Sequence, residues 1–331
     1  MKLFSTKILI IAVLFIGHTA LSAQDSSKVL INPTINRIAY GTDPQQYIVF
    51  YKADSDKPTP LVVYIHGGAW KSGSAEGIAR TNVFGNSNKQ GEGVLELLKK
   101  GISVASVEYR FLAKATKAGV NPPVQWPMLD AAKALQFIRS KAHEWNIDKT
   151  RVGLTGSSAG GCTALWLALH PDLADCSSSD PISHESTRVS FVGVLNTQTT
   201  LDPNDLTQWF KSPTYGGNAF GFLKIVENKE VSDMDAFLKA REEILPWIMK
   251  YSPKTWISND DPPVFLAYTD APQPTGEPQL DSVHGAAYGV QIQPEFDKMG
   301  VEFYLIFPGY NKSPYTDHID FLVKKLNKEC L

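Results

Sequence analysis

Val152-Gly153-Leu154-Thr155-Gly156-Ser157-Ser158-Ala159-Gly160-Gly161 joins a short apolar run to a stretch of helical spacing through a turn built of small residues. A strand that enters a helix through so tight a turn leaves no room for Cβ atoms at the flanking positions, and it lifts the central side chain over the end of a sheet. Only Ser158 stands midway between Gly156 and Gly160 in a G-x-S-x-G pattern, which makes it the expected nucleophile. Ser157 is then structural or lines the pocket. The helix starting at Ala159 turns its positive end toward any anion that forms there.

Outward from this turn the chain alternates apolar β-branched runs with helical patterns, as a parallel sheet covered on both faces requires. Strands are expected at Leu61 to His66, Ile102 to Tyr109, Arg151 to Gly156, Ser190 to Leu195, Val264 to Thr269 and Val301 to Phe307. Helical spacing covers Val94 to Lys100, Leu129 to Trp145, Gly161 to His170 and Ile319 to Leu326. Tyr47 to Ala53 fits an antiparallel strand at the sheet edge. The expected class is α/β, a doubly wound, mostly parallel sheet. One stretch of about 65 residues, roughly 197–260, breaks the rhythm and contains a helical segment from Asp233 to Met249; insertions of that length commonly form lids or binding loops. It is read as a partial cap, with Trp209, Phe210, Tyr215, Phe220 and Phe222 as candidate pocket or packing residues.

At the N-terminus, Lys2 and Lys7 precede an apolar run from Ile8 to Ile16 and small residues at Ala20, Ser22 and Ala23, the pattern of a signal peptide spanning 1–23. A secreted or periplasmic protein is expected, with 24–331 forming a single domain. No later run approaches the ~20 apolar residues of a membrane-spanning helix. Lys and Arg number 32 against 34 Asp and Glu, so no basic face invites nucleic acid. Three cysteines cannot make a disulfide framework; Cys162 reads as a small buried apolar residue, with a Cys162–Cys176 bridge as the lesser alternative. Neither a zinc-type ligand cluster nor a phosphate-binding glycine loop is present, and no metal or organic cofactor is expected.

His66-Gly67-Gly68-Ala69-Trp70 follows the first strongly apolar strand, where glycines let backbone N–H groups converge on a developing oxyanion. With Val107-Glu108-Tyr109-Arg110, Trp126-Pro127, Asp130, Asn146-Ile147-Asp148 and Arg151-Val152-Gly153, this loop gives the chain its likeness to a known family. It resembles the α/β-hydrolase superfamily, in the esterase and lipase branch with an HGG motif, and within it exported bacterial enzymes of the feruloyl-esterase and acetylxylan-esterase type. The resemblance spans roughly Lys57 to Leu326. It implies an α/β-hydrolase fold, an oxyanion hole at Gly67, Gly68 and Ala159, and a Ser-His-Asp triad cleaving short-acyl or aryl esters, on small molecules or oligosaccharides. An amidase or peptidase on the same fold, or a catalytically impaired binding protein, is the alternative.

Triads of this fold run in the order Ser, acid, His. Of seven histidines, His284 and His318 come late enough; His318, after the last strand and before the terminal helix, is the expected base, with His284 as alternative. The family's acid lies a few residues beyond a strand opened by Pro-Pro, here Pro262-Pro263, commonly as G-x-x-D. Asp270 is the nearest carboxylate, although Pro272 stands at the family's own position. Asp281 is the alternative and Glu277 a more distant one.

Overall fold

The computed structural model describes residues 31–79, 92–273 and 281–328. The expected signal peptide and Glu277 lie outside the described residues. The strands are β1 (Ile35–Ala39), β2 (Tyr47–Tyr51), β3 (Thr59–Ile65), β4 (Ser103–Val107), β5 (Ile147–Ser157), β6 (Phe191–Leu195), β7 (Leu223–Val226), β8 (Lys229–Ser232), β9 (Val264–Ala267), β10 (Phe303–Phe307) and β11 (Tyr310–Asn311). The helices are α1 (Glu92–Lys99), α2 (Leu112–Lys117), α3 (Gln125–Ser140), α4 (Ala142–Trp145), α5 (Ala159–Leu169), α6 (Pro203–Trp209), α7 (Met234–Tyr251), α8 (Ala287–Met299) and α9 (His318–Asn327).

Among the described residues nine strands form one sheet in the order β1-β2-β4-β3-β5-β6-β9-β10-β11. From β4 to β10 neighbours run parallel, while β1, β2 and β11 are antiparallel additions. The six expected parallel strands all form. Tyr47–Tyr51 is antiparallel as expected but is not the edge, because β1 covers it. β1 escapes a pattern search because its ladder slips between Ile35 and Ile38, around Arg37 at φ 62°. The single helix expected from Leu129 to Trp145 is two, α3 and α4, meeting at Lys141, and left-handed Asn146 closes the second.

Every residue of β3, β4 and β9 is buried, as strands covered on both faces must be. The chain leaves β3 toward β4 on one side and returns to β5 on the other. That reversal opens a crevice at the carboxyl ends of β3 and β5, the ligand position of doubly wound sheets. α5 starts directly from the crevice and is buried along its whole length. On the opposite face α9 lies against β6, where the missing Cβ of Gly193 leaves room; one built there sits 3.1 Å from the His318 carbonyl oxygen.

Between β6 and β9 the chain forms α6, the hairpin β7-β8 and α7. Phe237, Ile244, Ile248 and Tyr251 are buried along one stripe of α7, and Phe237 packs its ring against Phe220 and Phe222 at 5.5 and 5.4 Å. The Arg241 guanidinium grips both oxygens of Asp202, at 2.7 Å each, and Asp202 caps α6 by accepting from Asn204 N–H. Among the described residues no helix is long and apolar enough to cross a membrane. Cys162 and Cys176 are unbridged, the first buried in α5 and the second exposed. Phe237→Ala empties the junction between α7 and the loop beneath it, and is expected to cost about 3–5 kcal/mol in chemical denaturation.

Candidate active site

Ser158 sits at the junction of β5 and α5 with φ 52° and ψ −128°, a conformation that non-glycine residues adopt only where the surroundings enforce it. Those surroundings are backbone. A Cβ on Gly156 lies 2.5 Å from the Ile65 carbonyl oxygen, and one on Gly160 lies 2.1 Å from the same atom and 2.4 Å from that of His66. The two glycines of the motif thus let the serine turn press against the end of β3. Ser158 N–H donates to the Leu195 carbonyl at 3.1 Å, and its own carbonyl accepts from Cys162 N–H at 2.8 Å. Ser157, the last residue of β5, lines the cavity beside it.

The His66-Gly67-Gly68-Ala69-Trp70 loop lies on the other wall. Gly68, Ala69 and Trp70 all have positive φ, at 105°, 54° and 56°. Side chains beneath hold this strained path. His66 stacks on Tyr109 at 4.2 Å, meets Glu108 at 3.1 Å through Nε2, and its carbonyl accepts from the Tyr109 hydroxyl at 2.8 Å. Trp70 Nε1 donates to Thr163 Oγ1 of α5 at 2.9 Å, tying the loop to the serine helix. Gly67 approaches so closely that a Cβ there lies 2.7 Å from the Ser157 carbonyl oxygen. Other family-motif residues act as braces: Asp130 holds the Arg110 guanidinium through both oxygens, at 2.8 and 2.6 Å, with Arg110 stacked over Trp126 at 3.9 Å.

The group bonded to Ser158 is His284. Ser158 Oγ and His284 Nε2 are 2.9 Å apart, and His284 Nδ1 lies 2.7 Å from Asp281 Oδ2. Acid and histidine thus come from one turn, in which Asp281 Oδ1 also accepts from the N–H groups of Val283 at 2.8 Å and His284 at 3.2 Å. Partial burial pushes the Asp281 carboxyl upward, but the His284 hydrogen bond, the two backbone N–H groups and the histidine's charge outweigh it and hold its pKa below the ordinary carboxylate value. The buried side chain of Gln198 steadies this turn by donating to the Val283 carbonyl at 2.6 Å, and the Tyr288 hydroxyl donates to the Ser282 carbonyl at 3.3 Å. A cavity of about 830 Å³ opens over Ser158, His284, Gly67 and Gly68.

His318 and Asp270 are not brought to Ser158. Asp317 caps α9 by accepting from the N–H groups of Ile319 and Asp320, so His318 is already helical and packs behind β6 instead of reaching over the sheet. It is buried, and its Nε2 has no hydrogen-bond partner among the described residues. Burial pushes its pKa down to about 4, the charge of Asp317 opposing only in part. Asp270 is exposed in the bend after β9. Gln198 escaped the sequence reading because an isolated glutamine carries no pattern. Asp281 and His284, the alternatives open in the sequence, are the pair that the structure brings to Ser158.

Fold and crevice together are those of an α/β-hydrolase. The family model of BD-FAE matches residues 48–274, and the chain belongs to that family. Among curated relatives, esterase LipC of Mycobacterium tuberculosis is 31% identical over 130 residues, 38% of this chain and 27% of the relative. Gut esterase 1 of Caenorhabditis elegans is 27% identical over 136 residues, 40% of this chain and 22% of the relative. The chain therefore matches only about a quarter of these relatives' length. A truncated carbohydrate esterase from gut microbiota superposes with a TM-score of 0.62 at 18% identity, covering 89% of this chain and 98% of that one. An acetyl ester-xyloside bifunctional hydrolase from Caldicellulosiruptor lactoaceticus gives 0.57 at 21% identity, covering 83% and 86%. At these identities the likeness is one of fold.

His318 has a consequence for stability. Its pKa falls from 6.5 unfolded to about 4 folded, so the unfolded chain binds the extra proton first as pH drops. Stability is full above about pH 6.5 and declines toward pH 4, by up to about 3 kcal/mol from this residue. His318→Gln is expected to flatten that part of the profile when melting temperature is followed from pH 7 to pH 4. A slope equal to that of the wild type contradicts the assignment.

Proposed function

We propose that the protein is a serine carboxylesterase in which Ser158 is the nucleophile, His284 the general base and then general acid, and Asp281 the residue that orients and stabilises the imidazolium. The observation that carries this reading is the unbroken chain from Ser158 Oγ through His284 to Asp281, at 2.9 and 2.7 Å. These distances lie within the range over which a base can take a hydroxyl proton. Ser158 Oγ attacks the ester carbonyl while His284 Nε2 removes its proton. The backbone N–H groups of Gly68 and Ala159 donate to the oxyanion, Gly67 providing the clearance for the loop and the N-terminal end of α5 adding its dipole. His284 then protonates the leaving alcohol, and water repeats the sequence on the acyl-enzyme to release the acid and restore Ser158.

The low pKa of Asp281 supports its role, because the carboxylate stays charged as the imidazole becomes cationic. Pro272 stands at the family's acid position, which by itself would favour a catalytically impaired binding protein; a carboxylate hydrogen-bonded to His284 speaks against that alternative. Short-acyl or aryl esters on carbohydrate are the proposed substrates, in line with the carbohydrate esterase and the acetyl ester-xyloside hydrolase that share the fold. An exported protein with a signal peptide at 1–23 and a partial cap formed by about 197–260 complete the proposal.

Hydrolysis of p-nitrophenyl acetate by single variants tests the assignment. Ser158→Ala and His284→Ala are each expected to lower kcat by about 10³-fold or more, and Asp281→Asn by about 10²–10⁴-fold. His318→Gln and Asp270→Asn are expected to stay within about threefold of wild type. Loss of activity in His318→Gln with retention in His284→Ala reverses the assignment of the base.

A further inference from the structure

A second cavity, of about 610 Å³, adjoins the one over Ser158. Ala69, Lys71 and Tyr215 line both. Its outer wall is the β7-β8 hairpin, which reverses through Glu227 and Asn228 at φ 50° and 61°, the geometry of a tight type I′ turn. The hairpin is held to the catalytic centre by an ion pair between Lys71, just beyond the oxyanion loop, and Glu230 of β8. On the other side Thr214 Oγ1 reaches Ser282 Oγ, at 3.4 Å, in the turn that carries Asp281 and His284. The second cavity therefore abuts both the loop that would stabilise the oxyanion and the turn that would protonate the leaving group.

Resting on the esterase reading above, we propose that this cavity is the subsite for the alcohol side of the ester, and that it takes a neutral sugar unit of an acylated oligosaccharide. Its volume falls within the ~300–1,000 Å³ of small-ligand pockets. Leu223, Val231 and Met234 offer an apolar surface for the face of a pyranose ring, while Lys224, Asp235 and Ser232 supply donors and acceptors for its hydroxyls. A long acyl chain fits poorly, because covering Lys224 and Asp235 with hydrocarbon strips them of water without return. The cavity carries Lys71 and Lys224 against Glu230 and Asp235, so its charges balance and favour an uncharged ligand over an anionic one. Val226 and Val231 on the hairpin are 46% and 38% exposed, which leaves apolar surface for a ligand to cover.

The test compares kcat/KM for an acetylated xylo-oligosaccharide with that for p-nitrophenyl acetate, which has no sugar. Val231→Trp fills the subsite and is expected to lower the oligosaccharide-to-aryl ratio about tenfold, chiefly through KM. Ile225→Trp, a similar change on the same hairpin at a residue 68% exposed and outside the cavity lining, is expected to leave the ratio at its wild-type value. Lys224→Ala with Asp235→Ala, which removes polar groups without adding bulk, is expected to lower the ratio about fivefold and serves if Val231→Trp fails to fold. A ratio unchanged in Val231→Trp, or one that falls equally in Ile225→Trp, overturns the subsite. So does a wild type that hydrolyses the aryl ester but not the oligosaccharide. A wild type that hydrolyses neither overturns the esterase reading instead.

Discussion

The close approach of two backbone segments, the serine turn and the end of β3, is the constraint on which the rest of the site depends. Gly156 and Gly160 have no Cβ, and the Ile65 and His66 carbonyl oxygens occupy the space where one would stand. This contact forces Ser158 into a positive φ, sets the register of β3 against β5 at Ile65 and Gly156, and presses Gly67 against the Ser157 carbonyl. Ser158 and the glycine loop are thus positioned by main-chain packing at the centre of a buried sheet. Strain of this kind persists only where the surroundings over-determine it. Here α5, buried along its full length, and the His66–Glu108–Tyr109 cluster do so.

His284 and Asp281 are held by different means. Asp281 and His284 belong to one local turn, closed by the carboxylate accepting two backbone N–H groups, and the turn is braced from Gln198 and Tyr288. A carboxylate that fixes both the backbone of its turn and the ring of its histidine couples the orientation of that imidazole to local folding. Side-chain exposures of 34% for His284 and 40% for Asp281 leave the pair open to solvent.

Much of this was legible in the sequence, for physical reasons that differ from place to place. The parallel strands announce themselves because burial on both faces demands continuous apolar runs, and β3, β4 and β9 are buried throughout. Ser158 and the glycine loop were legible because only glycine fits those contacts. β1 was not, since an irregular ladder around Arg37 has no alternation to read. His318 was favoured from its position after the last long strand, but α9 starts at that residue and packs it behind β6, while the side chain beside Ser158 is that of His284, on a turn that chain order does not single out. Braces between residues distant in sequence, such as Gln198 to Val283, leave no periodic trace and emerge only from the fold.

The identity of the base is the central claim, and the rate at which a fluorophosphonate modifies Ser158 tests it most directly, because that step needs the activated hydroxyl but no turnover. Followed by intact mass, wild type and His318→Gln should gain one adduct at similar rates, whereas His284→Ala should label at least about 100-fold more slowly. Rapid labelling of His284→Ala together with slow labelling of a folded His318→Gln would contradict the account.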